Sequence, residues 1–283
     1  MGPDDMVLCA GTLPREVAFA ERLAVASAAG FRYISLWGRD IAAARAEGYA
    51  DADLRSMLAD HGLGVAEVDP AWWWLPGAAG VSIDPSFDTE DVFRFGEHEL
   101  LAMAEAVGAR SLNAVDAFGG TWSIDQAAEA FAGLCSRAAE HGLLVHIEWL
   151  PWSRIPDLTA ARAVVEGAGA TNGGLNIDAW HLVRAGVTLE ELAAVPGDLV
   201  LGIQLDDGPL AAEANLVEAT LHDRRLPGEG EFDLQGLVRT LAAIGTTAPL
   251  GVEVFSDELH RRGPAAAAVA AARSTITILE ESR

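Results

Sequence analysis

Residues 125–149 read DQAAEAFAGLCSRAAEHGLLVHIEW. From Asp125 to His141 the apolar residues follow a helical period, Gly142 stops the helix, and the apolar run Leu144 to Trp149 predicts a strand carrying Glu148 near its end. The same grammar extends in both directions. Strands are predicted at Val7 to Cys9, Tyr33 to Trp37, Val65 to Asp69, Ser111 to Val115, Leu144 to Trp149, Leu175 to Asp178, Leu199 to Leu205 and Leu250 to Val254. Helices are predicted between them, among them Arg15 to Ala29, Asp51 to His61 and Asp88 to Val107, with Gly30, Gly62 and Gly108 just past their ends. Repeated strand, helix and glycine stop is the pattern of parallel βαβ units, and eight such units favour a closed barrel over an open sheet. The fold predicted is therefore α/β, a single (β/α)8 TIM barrel over 1–283, with 1–6 read as a flexible N-terminus. Its longest loops follow the third strand (Pro70 to Phe87) and the seventh (Asp207 to Phe232).

Four consecutive strand ends carry an oxygen side chain: His146-Ile147-Glu148, Leu175-Asn176-Ile177-Asp178, Gly202-Ile203-Gln204 and Gly251-Val252-Glu253. A barrel brings such ends together at its C-terminal face, where chemistry is built. One strand-end acid alone serves equally well as a helix cap. Four in chain order read as a divalent-metal site of Glu148, Asp178, Gln204 and Glu253, and hence as an enzyme. His146 falls on the same face as Glu148, one layer deeper, where it either orients Glu148 by a hydrogen bond or is simply a satisfied core histidine.

Composition narrows the classes. The formal charge of −23 disfavours nucleic acid, whose phosphates need clustered cations. All 19 basic residues are arginine, so a lysine Schiff base and a lysine phosphate clamp are both excluded. Cys9 and Cys135 form no disulfide framework and fit a reducing cytoplasm, and with neither a basic secretory leader nor a membrane-length apolar run the chain is expected to be soluble. Glycine pairs such as Gly119-Gly120 belong to no nucleotide-binding motif, and no Gly-x-Ser-x-Gly elbow occurs. A homo-oligomer is compatible with the chain, but nothing in the sequence marks a face for it.

The eight tryptophans sit at or after strand ends: Trp37, Trp72 to Trp74, Trp122, Trp149, Trp152 and Trp180. Packing accounts for Trp73 and one or two others. The rest, with Trp37, Trp72, Trp122, Trp152 and Trp180 as the candidates, are expected to line a substrate pocket above the metal. Such walls, without lysine nearby, suit a neutral or carboxylated ring.

The residues Glu148, Asp178-Ala179-Trp180-His181, Gln204-Leu205-Asp206-Asp207, Arg225-Leu226-Pro227-Gly228 and Glu253-Val254-Phe255 resemble the xylose-isomerase-like TIM-barrel superfamily of sugar and sugar-phosphate isomerases and epimerases, inosose dehydratase and bacterial 3-dehydroshikimate dehydratases. The resemblance implies that Glu148 and Glu253 act as base and acid as well as ligands, that His181 bonds a substrate oxygen, and that Arg225 binds a hydroxyl or carboxylate. Gln204 stands where the epimerases have histidine. This hardens the site toward Mn2+ or Mg2+ and is similar to the 3-dehydroshikimate dehydratases.

The expected activity is proton abstraction beside the carbonyl of a small polyhydroxylated, cyclic or sugar-like substrate, with the cation stabilising the enediolate. Reprotonation would make the enzyme an isomerase or epimerase, the leading expectation. Loss of a β-leaving group would make it a dehydratase or lyase, and the alternative of another class is a non-catalytic binding barrel.

Overall fold

The computed structural model describes residues 2, 5–78, 92–117 and 119–283. Eight parallel strands close a barrel in chain order: β1 Met6–Leu8, β2 Tyr33–Trp37, β3 Gly64–Ala71, β4 Ser111–Val115, β5 Leu144–Glu148, β6 Gly173–Asp178, β7 Val200–Leu205 and β8 Leu250–Val252. β8 pairs back onto β1 through Val7 and Gly251. Helices pack around the outside, among them Phe19–Ala28, Asp51–Asp60, Glu97–Val107, Ile124–Glu140, Leu158–Ala168, Leu234–Ala243 and Pro264–Glu281. The barrel expected from the strand and helix alternation is the observed fold.

Alternation along each strand sorts side chains into two populations. Ile147, Leu175, Ile177, Ile203 and Val252 face outward into the layer shared with the helices. Their neighbours His146, Glu148, Asn176, Asp178 and Gln204 are buried without joining that layer, and they hydrogen-bond across the barrel interior. Val7, Cys9 and Ala66 form a separate small apolar cluster. The helix Ile124–Glu140 shows how the outer layer is built: Ser123 and Gln126 cap its start reciprocally, and Phe131, Leu134, Cys135 and Ala138 form its buried face.

Three glycines hold the interior of β6, β7 and β8. A Cβ on Gly174 would lie 2.4 Å from the carbonyl oxygen of Leu199, one on Gly202 2.6 Å from Asn176 Oδ1, and one on Gly251 2.7 Å from Cys9 Sγ. Glycine at these places lets Asn176 and its neighbours fill the space beneath the strand ends.

Some boundaries differ from expectation. Met6, assigned to a flexible terminus, is buried in β1 beside Leu250. The first long helix starts at Phe19 rather than Arg15, because Val17 N–H closes a turn on the Pro14 carbonyl at 3.2 Å and Ala18 is extended. The fourth-unit helix starts at Glu97 after the extended Gly96, and the earlier part of its expected span at 88–91 lies outside the described residues. Part of the long loop expected after the third strand, 79–87, lies outside them as well. No helix among the described residues is long and apolar enough to cross a membrane.

Gly174→Val forces a branched side chain against the Leu199 backbone, which nothing nearby can relieve. Overpacking of this kind costs about 1–3 kcal/mol, and the melting temperature is expected to fall by roughly 3–10 °C in a calorimetric scan.

Candidate active site

The ends of β5 to β8 place their acids side by side. Glu148 closes β5, Asp178 closes β6 and pairs in register with Gln204 of β7, and Glu253 follows β8 with its N–H still bonded to the Leu205 carbonyl at 2.9 Å. All four are buried. Asp178 also caps the short helix Ala179–Arg184, accepting from His181 N–H at 2.9 Å. That cap swings the His181 ring over the neighbouring strand, with Nε2 3.4 Å from Glu148 Oε1. One donor atom from each of Glu148, Asp178 and His181 then lies within 4.8 Å of the others.

A second layer lies beneath these residues. Asn113 of β4 donates Nδ2–H to Glu148 Oε2 at 2.5 Å, and its Oδ1 faces His146 Nδ1 at 3.1 Å. His146 Nε2 in turn meets Glu67 Oε2 at 3.2 Å and Ser111 Oγ at 3.1 Å. Gln204 donates to Glu67 Oε1 at 3.2 Å and accepts from Asn176 Nδ2 at 2.6 Å. His146 therefore does not touch Glu148. It reaches that carboxylate through Asn113 and is itself fully buried.

The expected arginine requires correction. Arg225 is exposed, with its guanidinium 3.5 Å from the Glu229 carbonyl in its own loop. Its backbone exchanges two 2.9 Å hydrogen bonds with Asp207, and this antiparallel bridge turns alternate residues to opposite sides. The neighbouring Arg224 is the one that enters the site. Its NH1 donates to Asp206 Oδ2 at 2.6 Å and Asp178 Oδ2 at 2.9 Å, and lies 3.6 Å from Glu253 Oε2. The Arg225-Leu226-Pro227-Gly228 segment points to Arg225, and nothing local in the sequence marks its neighbour instead. Asn113 and Glu67 were also missed, although period-two alternation in β3 and β4 put polar side chains on one face.

The tryptophans divide. Trp152 is half-buried and packs edge-on against His181 with ring centroids 5.5 Å apart. Trp37 stacks on Phe255, whose ring in turn lies 5.0 Å from the Arg224 guanidinium. Trp180 is wholly buried, its Nε1–H on Thr220 Oγ1 at 2.7 Å and Arg184 4.2 Å from its ring, so it is a packing residue and not a pocket wall. Trp122 is buried with Arg154 5.3 Å away, and Trp72 donates to the Phe93 carbonyl at 2.8 Å. Those contacts are made with loop partners and not with the acid cluster.

Charge is unbalanced here. Burial, then the nearby Asp178 and Glu253 charges, push the Glu148 carboxyl well above the usual range. Burial likewise raises Glu253, to about 8, against the pull of Arg224. Burial also acts upward on Asp178, but Arg224 and His181 outweigh it and hold Asp178 below its ordinary value. Burial and Arg224 lower His181 to about 4, which leaves a neutral imidazole able to accept at one nitrogen. Glu148, Asp178, Asp206 and Glu253 thus gather about the single guanidinium of Arg224. Oδ1 of Asp206 and Nδ1 of His181 have no hydrogen-bond partner among the described residues. Hard oxygen donors, one neutral imidazole and a deficit of positive charge suit a divalent cation.

Comparison with known proteins agrees with the geometry. The xylose isomerase-like TIM barrel family matches residues 23–277. The chain belongs to that family. Among its family relatives is the 3-dehydroshikimate dehydratase of Pseudomonas aeruginosa, 29% identical over 282 residues that cover 98% of this chain and 41% of that protein. Another is the inosose isomerase of Bacillus velezensis, 26% identical over 136 residues, covering 47% of this chain and 48% of that protein. The chain thus spans less than half the length of the dehydratase, and the match to the isomerase covers about half of each protein. The solved structure of the IolI protein, which holds a zinc atom, shares the fold with a TM-score of 0.83 at 18% identity, over 98% of this chain and 99% of that one.

The Glu253 shift has a direct consequence for stability. Its carboxyl titrates near 8 in the folded protein against 4.5 for an ordinary glutamate, so its contribution is whole below about pH 4.5 and is lost as the pH rises through 8. Metal-free protein is expected to melt lower at about pH 8.5 than at about pH 6, and Glu253→Gln to flatten that slope. An unchanged slope in the variant would place the titration elsewhere.

Proposed function

We propose that this chain is a divalent-metal-dependent enzyme that removes a proton beside the carbonyl of a polyhydroxylated ring and then releases a β-hydroxyl as water. The observation that carries the reading is the pair of buried carboxylates, Glu148 closing β5 and Glu253 just past β8, flanking Asp178 and Arg224. An enzyme that both takes and gives a proton near neutral pH needs two carboxyl groups whose acid and base forms are both within reach.

Glu148, Asp178 and Glu253 would hold the cation, with Gln204 adding an amide oxygen whose second lone pair remains after its bond to Asn176. Mn2+ or Mg2+ suits this oxygen-rich set, and when bound it would supply positive charge to the substrate carbonyl oxygen. Asn113 fixes the Glu148 carboxylate so that one oxygen is held from below and the other is left toward His181. In its carboxylate form Glu148 takes the proton from carbon. Glu253, as an acid, donates a proton to the departing hydroxyl. His181 and the NH2 edge of Arg224 offer hydrogen bonds to substrate oxygens, and Trp152 covers the outer side of His181.

Loss of water is favoured over reprotonation because the dehydratase aligns with 98% of this chain at 29% identity, against 47% at 26% for the inosose isomerase and 84% at 26% for a putative hydroxypyruvate isomerase of Streptomyces coelicolor. The same proton abstraction followed by reprotonation would give an isomerase, so the two outcomes share every residue named above.

The test is product mass after incubation with Mn2+ and a cyclic β-hydroxyketone such as 3-dehydroshikimate. Loss of one water is expected, and Glu148→Gln should lower kcat by about 10²–10⁴-fold, the usual worth of a positioned base. Unchanged mass in H2O, with uptake of deuterium in D2O, would assign an isomerase. Metal binding without turnover of any such substrate would leave a binding barrel.

A further inference from the structure

Arg224 is fixed on every side except one. Its Nε–H bonds the Thr220 carbonyl at 3.0 Å, and its guanidinium lies 5.0 Å from the Phe255 ring and 5.7 Å from the Trp180 ring. With 2% of the residue exposed, it has no route to solvent that leaves these contacts intact. Its NH1 is shared among Asp178, Asp206 and Glu253. Two of those three carboxylates, Asp178 and Glu253, are needed by the cation. A cation drawn onto them leaves the guanidinium beside a like charge, and a buried arginine without a counter-ion is not tolerated.

Asp206 is the remaining partner. It follows β7, is fully buried, makes the shortest of the three contacts at 2.6 Å, and has a second oxygen, Oδ1, with no hydrogen-bond partner among the described residues. A guanidinium can engage both oxygens of one carboxylate. We propose that Asp206 is a positioning residue: it is the dedicated counter-ion that keeps Arg224 in place beside the bound cation. The NH2 of Arg224, whose partner is His181 Nε2 at 3.5 Å, is thereby kept beside that imidazole, where this long contact can give way to a carboxylate or hydroxyl oxygen of the substrate. The inference rests on the divalent-cation reading above and adds a role that none of the expected site residues fills.

Mn2+ titration by calorimetry on the full chain tests it without reference to activity. Four proteins are compared: wild type, Asp206→Asn, Arg224→Met, and the two changes together. Asp206→Asn keeps the side-chain shape, and it is expected to weaken Mn2+ binding about tenfold, because Arg224 must then compete for Asp178 and Glu253. In the Arg224→Met background the same change should alter affinity less than about twofold, since Asp206 would act only through the arginine. Should Arg224→Met fail to fold, Arg224→Gln serves in the same comparison. Equal weakening in both backgrounds would overturn the proposal by making Asp206 a direct ligand or a plain source of negative charge. An unaltered affinity in Asp206→Asn overturns it too. A wild type that binds no Mn2+ would instead remove the cation reading itself, and the proposal with it.

Discussion

Carboxylates buried at close range about a single arginine are the constraint on which the rest of this molecule depends. Glu148, Asp178, Asp206 and Glu253 are each almost wholly removed from water, and among the described residues only Arg224 carries a fixed positive charge in their midst. Burial alone would keep most of them protonated, and their mutual repulsion reinforces that. Such a cluster destabilises an empty barrel and becomes favourable when a divalent cation joins it. The fold therefore holds the site against its own electrostatics, and the outer layer of Ile147, Leu175, Ile177, Ile203 and Val252 supplies the apolar burial that makes this tolerable.

The strand ladder explains how the acids are delivered, and the layer below explains how they are aimed. Asn113, His146, Glu67, Gln204 and Asn176 form a continuous chain of hydrogen bonds from β4 across to β7. Each member bonds its neighbour, and of the five only Asn176 keeps an oxygen, Oδ1, with no hydrogen-bond partner among the described residues. The glycines of β6 to β8 leave room for that chain, since a Cβ on Gly202 would strike Asn176. The polar layer, and not a close-packed apolar one, is what links Glu148 to Gln204.

Strand period, helix period and the glycine stops decide the barrel in the sequence alone, because those signals are local and repeat eight times. The acids at the strand ends are legible there for the same reason: alternation fixes their face, and parallel order fixes their end. Arg224 is not, because the choice between it and Arg225 is made by the backbone bridge to Asp207, a contact between two parts of one long loop. The partners of His146 depend on the register of β3, β4 and β5, which no single segment reveals. Trp180 reads as a pocket wall from its position after a strand, yet Arg184 one turn along the same helix and Thr220 and Phe232 from farther along the chain close over it.

The proposed site would hold one divalent cation between the ends of β5, β6 and β8. Anomalous diffraction at the manganese edge from crystals grown with Mn2+ addresses it directly. One strong peak is expected within bonding distance of Glu148, Asp178 and Glu253, about 2.0–2.6 Å from their oxygens. An Mn2+-soaked crystal with no peak there, and Arg224 still bridging Asp178 and Glu253, would contradict it.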